Sequence, residues 1–396
     1  MTLLAPIDDV GRDRKRGGYS RHVFEPAERQ LREWFIEEAE RRDLAVRTDQ
    51  NGNIWAWWGE PGRDAVVTGS HLDSVPGGGA FDGPLGVVSA LAAVDTLRAH
   101  DFYPIRPLAI VVFAEEEGGR FGVPCLGSRL MSGAIDADVA RRLTDPAGIT
   151  FAEAAAEAGL DPHRIGRDDE ALAAVHTFVE LHVEQGRGLI DLGAPVGVAS
   201  SILAHGRWRF SFAGEGNHAG ATLLGDRRDP MVPAAEMVLA ARIAASEVDD
   251  ARATVGRIVP NPGGTNVIAS TVDVWLDARA GDDASTREVV DRVRTMAEDA
   301  AGRESCALTV VEESYGDTVV FDPGLRDTVS QALGGVPALP TGAGHDAGIL
   351  AAHLSTAMVF VRNPTGISHA PEEFAEADDC QAGVEALATV LERLTG

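Results

Sequence analysis

The segment Gly69-Ser70-His71-Leu72-Asp73-Ser74-Val75-Pro76-Gly77-Gly78-Gly79-Ala80-Phe81-Asp82-Gly83-Pro84-Leu85-Gly86 decides how the chain is read. Its approach, Ala65-Val66-Val67-Thr68, has the character of a short buried strand, and its exit from Pro84 through Ala92 that of an apolar helix. His71 and Asp73 are two apart, so at a strand end both point to one face. The run Gly77-Gly78-Gly79 then lets the backbone turn sharply and carry Asp82 back towards them. This is the layout of a metal site at the carboxyl edge of a sheet. His71 offers an imidazole nitrogen, Asp82 offers two oxygens that can bridge a pair of cations, and Asp73 can hold the His71 tautomer from behind. Taken alone, the same residues also fit a glycine-rich turn with a capping aspartate.

Composition narrows the classes. With 396 residues and 44% hydrophobic content, the chain has material for a large core or two domains. No apolar run reaches the length of a membrane span, and Met1 to Pro6 is too short for a signal-peptide core. Cys125, Cys306 and Cys380 are far apart and form no CxxC pair, so neither a disulfide framework nor a zinc ribbon is expected and a reduced cytoplasmic setting fits. A formal net charge of −26 repels nucleic acid and anionic membrane surfaces. An anionic substrate would need arginines gathered locally.

Outward from the opening segment, Pro26 to Arg42 has helical spacing of Leu31, Trp34, Phe35 and Ala39, and Ile54 to Trp58 alternates as a strand. Pro107 to Ala114 is a continuous apolar run, as in a strand buried on both faces, and it ends in Glu115-Glu116-Glu117. Three successive carboxylates there repel one another unless a cation joins them, although a solvated acidic loop is the plainer alternative. A further strand, Thr177 to Glu184, ends in His182 and Glu184 ahead of Gln185-Gly186. Strands ending repeatedly in His and acidic residues favour an α/β sheet that binds its ligand at the carboxyl edge.

Near residue 200 the pattern changes. Arg207 to Phe212 alternates cleanly, a glycine-rich loop carries His218, and the succession to residue 316 reads β-α-β-β-α-β, a small α+β unit inserted in the larger one. Buried-strand character returns at Ala357 to Val361. The expected organisation is therefore a discontinuous domain, 1–206 with 317–396, and an insert, 207–316. Two polar clusters follow, Thr341-Gly342-Ala343-Gly344-His345-Asp346-Ala347 and Ser368-His369-Ala370-Pro371-Glu372-Glu373.

Taken together, GSHLDSVPGGGAFDG, EEEGGRF, ELHVEQG, the His218-Ala219-Gly220 loop, TNVI with DAR, GAGHDA and SHAPEE resemble the hydantoinase/carbamoylase amidases of the M20 metallopeptidase group over almost the whole chain. That set contains N-carbamoyl-L-amino-acid hydrolases, β-ureidopropionases and allantoate amidohydrolases. The resemblance implies an aminopeptidase-like α/β catalytic domain, a mixed sheet with helices on both faces, and an inserted α+β lid and dimerisation domain. It implies two divalent cations, Zn, Mn, Co or Ni, held by His71, Asp82, Glu117, His182 and His369, with Asp82 bridging and Glu116 as general base. It places His218, Asn266 and Arg279 on the lid and Gln185 and His345 along the substrate pocket. It further implies a homodimer in which lid loops complete the neighbouring subunit's site.

The expected reaction is hydrolysis of a small anionic ureido acid. A ureido carbonyl is a poor electrophile, which is why paired cations and a proton-shuttling Glu116 are needed. His218 is placed to steady the oxyanion, and Arg279 and Asn266 to bind a carboxylate. From the residues alone, Arg279 equally fits an ion pair with Asp277. The loop after His218, Ala221-Thr222-Leu223-Leu224, departs from the usual Thr-Thr-Pro-Met-like run of the group. Arg362-Asn363-Pro364-Thr365 stands closer to the allantoate branch than to the carbamoylases. An M20 exopeptidase or N-acyl-amino-acid deacylase is the alternative on the same scaffold.

Overall fold

In a computed structural model describing residues 3–396, the strands run in chain order as β1 (Ala45–Thr48), β2 (Ile54–Trp58), β3 (Ala65–His71), β4 (Leu108–Phe113), β5 (Val175–Val183), β6 (Val196–Ile202), β7 (Ala204–Ala213), β8 (Asn217–His218), β9 (Arg252–Asn261), β10 (Val267–Ile268), β11 (Thr271–Ala280), β12 (Ala307–Gly316), β13 (Val319–Val320), β14 (Ala338–Thr341) and β15 (Ser355–Val361). They fall into two compact units, Met1–Ser201 with Val320–Gly396, and the intervening Ile202–Val319. The insert begins a little before residue 207 because β7 starts at Ala204, where Gly206 interrupts the apolar alternation that is legible from Arg207 onward.

In the first unit the described residues form a nine-stranded sheet of order β1-β2-β4-β3-β5-β15-β6-β13, with β14 paired to β6. The centre, β4-β3-β5-β15, is parallel, whereas β1 with β2, β2 with β4, and β15 with β6 are antiparallel. The sheet is therefore mixed. β3 and β4 are buried along their whole length, which explains their near-continuous apolar sequence. Val66, Ile110, Val179 and Leu181 pack in one core cluster with Leu31 and Phe35 of the helix Pro26–Arg41, Leu91 and Val94 of the helix Pro84–Ala99, and Leu387 and Leu391 of the helix Ala377–Thr395. A second cluster, including Phe24, Ala114, Leu126, Leu130 and Phe151, gathers the short helices Leu126–Ser132 and Phe151–Glu157.

β2 differs from its alternating reading. Ile54 to Trp57 are all buried, since Ile54 and Ala56 join the first core while Trp55 and Trp57 stack with centroids 5.9 Å apart. Parallel register then sets His71 opposite Phe113 and His182 opposite Phe360, which brings the carboxyl ends of β3, β4, β5 and β15 to one edge.

The second unit is a four-stranded antiparallel sheet of order β12-β7-β11-β9. β11 alternates strictly, and Val272, Val274, Leu276 and Ala278 share a core with Trp208, Phe210 and Phe212 of β7. The helices Met231–Ser246 and Asp283–Arg303 pack into that core through Ala234, Met237, Ala241, Val289, Val293 and Ala297. β8 and β10 form a separate two-stranded piece.

Candidate metal centre

His71, the last residue of β3, is wholly buried. Its Nδ1 lies 3.0 Å from the backbone carbonyl of Asp73, which makes Nδ1 the donor and turns Nε2 outward to Asp82 Oδ1 at 3.4 Å and Glu116 Oε2 at 3.5 Å. His182 on β5 repeats the device. Its Nδ1 lies 2.9 Å from the Val183 carbonyl, and its Nε2 lies 3.2 Å from the same Asp82 oxygen. The two imidazoles stack with centroids 5.9 Å apart.

The other Asp82 oxygen, Oδ2, faces His369 Nε2 at 3.4 Å, and that nitrogen is also 3.4 Å from Glu117 Oε2. Among the described residues three groups could hold a metal ion, His71-Asp82-His182, Asp82-Glu117-His369 and Glu180-His182-His345, and the first two share Asp82. The side chains expected to hold two cations are thus within reach of one another, although they come from four separate stretches of chain.

The three consecutive glutamates divide their work. Glu115 has left-handed backbone (φ +53), and its Oε1 accepts the N–H groups of Arg120 and Phe121. Glu116 and Glu117 face the centre. Asp73 orients both, with Oδ1 accepting the Glu116 N–H at 3.2 Å and Oδ2 the Glu117 N–H at 3.0 Å. The His71 tautomer is accordingly set first by the backbone carbonyl of Asp73, and its carboxylate also fixes the glutamate turn. Asp73 thus stands behind His71 as expected, its carboxylate Oδ1 3.6 Å from Nδ1, but the nearer acceptor is its backbone carbonyl, because the strand ends at His71 and that carbonyl turns inward. Glu116 takes no position in any of these ligand groups, and its Oε1 accepts from Cys125 Sγ at 3.2 Å.

Gln185 sits nearer the ligands than a pocket-lining role requires. Its Nε2 donates to Asp82 Oδ2 at 2.7 Å and to Ser368 Oγ at 3.0 Å, and lies 3.3 Å from His369 Nε2. His345 is buried with its ring 4.5 Å from that of His182, and neither of its nitrogens has a hydrogen-bond partner. Burial, followed by the neighbouring His182, pushes this imidazole well below its usual range, so it is neutral. Glu184, which looked metal-capable in the sequence, instead accepts the N–H groups of Gly188 and Leu189 at a helix start.

The electrostatics are strained in a way a cation pair relieves. Burial raises Glu116 well above the usual carboxylate range, against the pull of His71. Burial and the adjacent Asp82 push Glu117 up to about 7. Burial alone would lower His71 and His182, but the carboxylates around them reverse this and raise both, while hydrogen bonding to Asp82 lifts His369 to about 9. The donor set fits divalent cations on two observations. The Nε2 atoms of His71 and His182 are buried without a hydrogen-bond partner. Gly83, at φ +82, closes against the His71 ring, where a Cβ would strike it.

The insert presents its expected residues in two places. His218 is exposed, and its Nδ1 accepts the N–H groups of Gly220 and Ala221 at 3.1 and 3.2 Å, so a neutral ring carries its proton on Nε2. Asn266 is close by, its carbonyl accepting the Ala219 N–H. Arg279 lies at the other end of β11, opposite His205, with Nε and Nη2 on the two oxygens of Asp277 at 2.8 and 3.1 Å. The strand rise between Thr271 and Arg279 puts the two ends of β11 roughly 25 Å apart.

Several contributors carry weaker sequence signals. Glu180, two before His182 on a strand and so on the same face, binds Ser70 Oγ and the Ala347 N–H. Asp346 accepts from Ser128 Oγ.

The chain belongs to the Peptidase family M20/M25/M40, whose model matches residues 67–393. It is 36% identical over 390 residues to an N-carbamoyl-L-amino acid amidohydrolase of Geobacillus stearothermophilus, covering 97% of this chain and 95% of that one. It is 30% identical to the allantoate amidohydrolase of Escherichia coli, covering 96% and 93%. The crystal structure of an amidase of the hydantoinase/carbamoylase family from Burkholderia vietnamiensis superposes with a TM-score of 0.86 at 28% identity, covering 99% of this chain and 96% of that one. The resemblance drawn from the sequence motifs holds.

Proposed function

We propose that this chain is a metal-dependent amidohydrolase that cleaves the ureido C–N bond of an N-carbamoyl-L-amino acid or allantoate, releasing ammonia and carbon dioxide. The observation that carries this reading is Asp82, shared between two ligand groups with a carboxylate, Glu116, beside them and outside both. His71 and His182 would hold one cation with Asp82, and Glu117 and His369 the other; zinc, manganese, cobalt and nickel all suit imidazole with carboxylate. When bound, such a pair supplies Lewis-acid charge to the carbonyl oxygen and acidifies water.

The protein residues supply the rest. Glu116 takes the proton of the attacking water and returns it to the departing nitrogen, with the Cys125 thiol holding its other oxygen. His218 donates from Nε2 to the developing oxyanion. Arg279, its guanidinium oriented by Asp277, binds the substrate carboxylate, and Asn266 adds a hydrogen bond. His345 and Gln185 face the ureido group.

Arg279 lies at the far end of β11 from the segment that carries Asn266 and pairs with His218. This favours a homodimer in which His218 and Asn266 serve the neighbouring site. The exposed stripe Val232, Leu239 and Ile243 on the helix Met231–Ser246, and exposed Ile258 and Val259 on the edge strand β9, supply apolar surface for that contact. Among the described residues no helix is long and apolar enough to cross a membrane. The three free cysteines support a reducing, cytoplasmic setting.

The test is ammonia release by metal-reconstituted protein from allantoate, N-carbamoyl-β-alanine and a panel of N-carbamoyl-L-amino acids, with dipeptides and N-acyl-amino acids alongside. Turnover of a ureido acid is expected. Turnover confined to dipeptides or acyl-amino acids would overturn the reading.

A further inference from the structure

Asp82 and His369 are far apart in sequence yet must meet with matched orientation, and Glu373 joins their two loops. Its side chain is buried, at 4% exposure. Oε1 accepts the backbone N–H groups of Phe81 and Asp82, both at 2.9 Å. Oε2 faces Ser368 Oγ at 3.3 Å, and the Glu373 N–H closes a turn onto the Ala370 carbonyl at 3.1 Å, immediately after His369. The loop before Asp82 lies directly against the carboxylate, since a Cβ on Gly79 would run into it.

Ser368 connects this arrangement to the ligands. Its hydroxyl accepts from Gln185 Nε2, so its single proton goes either to Asp82 Oδ2 at 3.2 Å or to Glu373 Oε2. We infer that Glu373 is a positioning residue for the cation pair, locking the bridging Asp82 and the His369 loop in one frame through its acceptor oxygens rather than its charge. It belongs to none of the ligand groups. The inference rests on the two-cation reading above.

The chemistry gives a discriminating pair of variants. In Glu373→Gln the amide oxygen still accepts both N–H groups, and the amide NH₂ donates to Ser368 Oγ, which leaves the serine proton for Asp82. Glu373→Asp keeps the charge but withdraws the oxygens by one methylene, and Glu373→Ala removes them.

The experiment titrates Co²⁺ into metal-free protein, following visible absorption and heat, with far-UV circular dichroism as the folding control. Wild type is expected to bind two ions. Glu373→Gln should bind two within about threefold of wild type, while Glu373→Ala and Glu373→Asp should weaken at least one ion by about 10–100-fold, the range typical of lost outer contacts to metal ligands. If Glu373→Ala does not fold, Glu373→Asp carries the comparison. Wild-type affinity in both Ala and Asp variants would overturn the inference, as would a Gln variant as weak as Asp. A wild type that binds fewer than two ions would overturn the two-cation reading itself.

Discussion

Adding one methyl group at Gly83 should damage the metal centre without removing any ligand. Gly83 holds φ +82 and ψ −62, a conformation that costs an L-residue about 1–3 kcal/mol. Its new Cβ would lie 2.6 Å from His71 Nε2 and closer still to Nδ1 and Cε1, roughly 1 Å inside normal van der Waals contact. The ring cannot retreat freely, because it is buried and its Nδ1 is tied to the Asp73 carbonyl. Forcing it aside costs about 1–3 kcal/mol more. Gly83→Ala should therefore lose about 2–6 kcal/mol, a fall in melting temperature of several degrees. The displaced imidazole should also weaken the His71 cation position at least about tenfold. Gly148→Ala is the control, with φ +84 but nothing within 4 Å of a Cβ, so it carries backbone strain and leaves metal binding unchanged. Calorimetric melting and metal titration read both effects. A Gly83→Ala protein that melts like wild type and binds both cations with unchanged affinity would refute the reasoning.

Other consequences can be measured on the same protein. Glu116→Gln should retain both cations while turnover falls about 10²–10⁴-fold, read by elemental analysis and ammonia release together; near-wild-type turnover would remove Glu116 from the proton transfer. Stripping cations with a chelator should lower the melting temperature, and restoring them at a hundredfold excess over Kd should return about 2.7 kcal/mol per site, so a melt indifferent to metal would count against a centre formed on folding. Asp322 accepts from Ser355 Oγ at 2.6 Å and from the Leu325 N–H at 3.0 Å, contacts that hold its carboxyl below the usual range. Its folded-state pKa is depressed, so the stability it adds is complete above the unfolded value near 3.9 and disappears as pH falls through the folded value. The stability gap between wild type and Asp322→Ala in urea titrations should be constant at neutral pH and close in acid; a gap that widens in acid would reverse the sign.

The parts of the centre that a sequence displays are those fixed by local chain geometry. His71 and Asp73 share a strand end, Glu116 and Glu117 follow a buried strand, and His182 closes another, so period-two spacing and apolar runs were enough to collect them. The insert was legible for the same reason, since Trp208, Phe210 and Phe212 alternate before β11 does so in turn. What escaped depended on contacts between distant segments or on backbone direction. No local pattern announces that Glu373 caps the amides of Phe81 and Asp82, or that Cys125 donates to Glu116. That the Asp73 carbonyl is the nearer acceptor for His71 while its carboxylate also serves the glutamate turn follows from where β3 ends. Arg279 could be read two ways because Asp277 is two residues away on the same strand face, and a contact with Asp277 is compatible with both, since it can orient the guanidinium for a carboxylate as well as pair with it.

The central claim is that two cations share Asp82, and the most direct measurement is anomalous X-ray scattering from crystals grown with zinc or manganese. Two peaks per chain are expected, one among His71, His182 and Asp82 and the other among Glu117, His369 and Asp82. A single peak at saturating metal, or peaks held by other side chains, would contradict it.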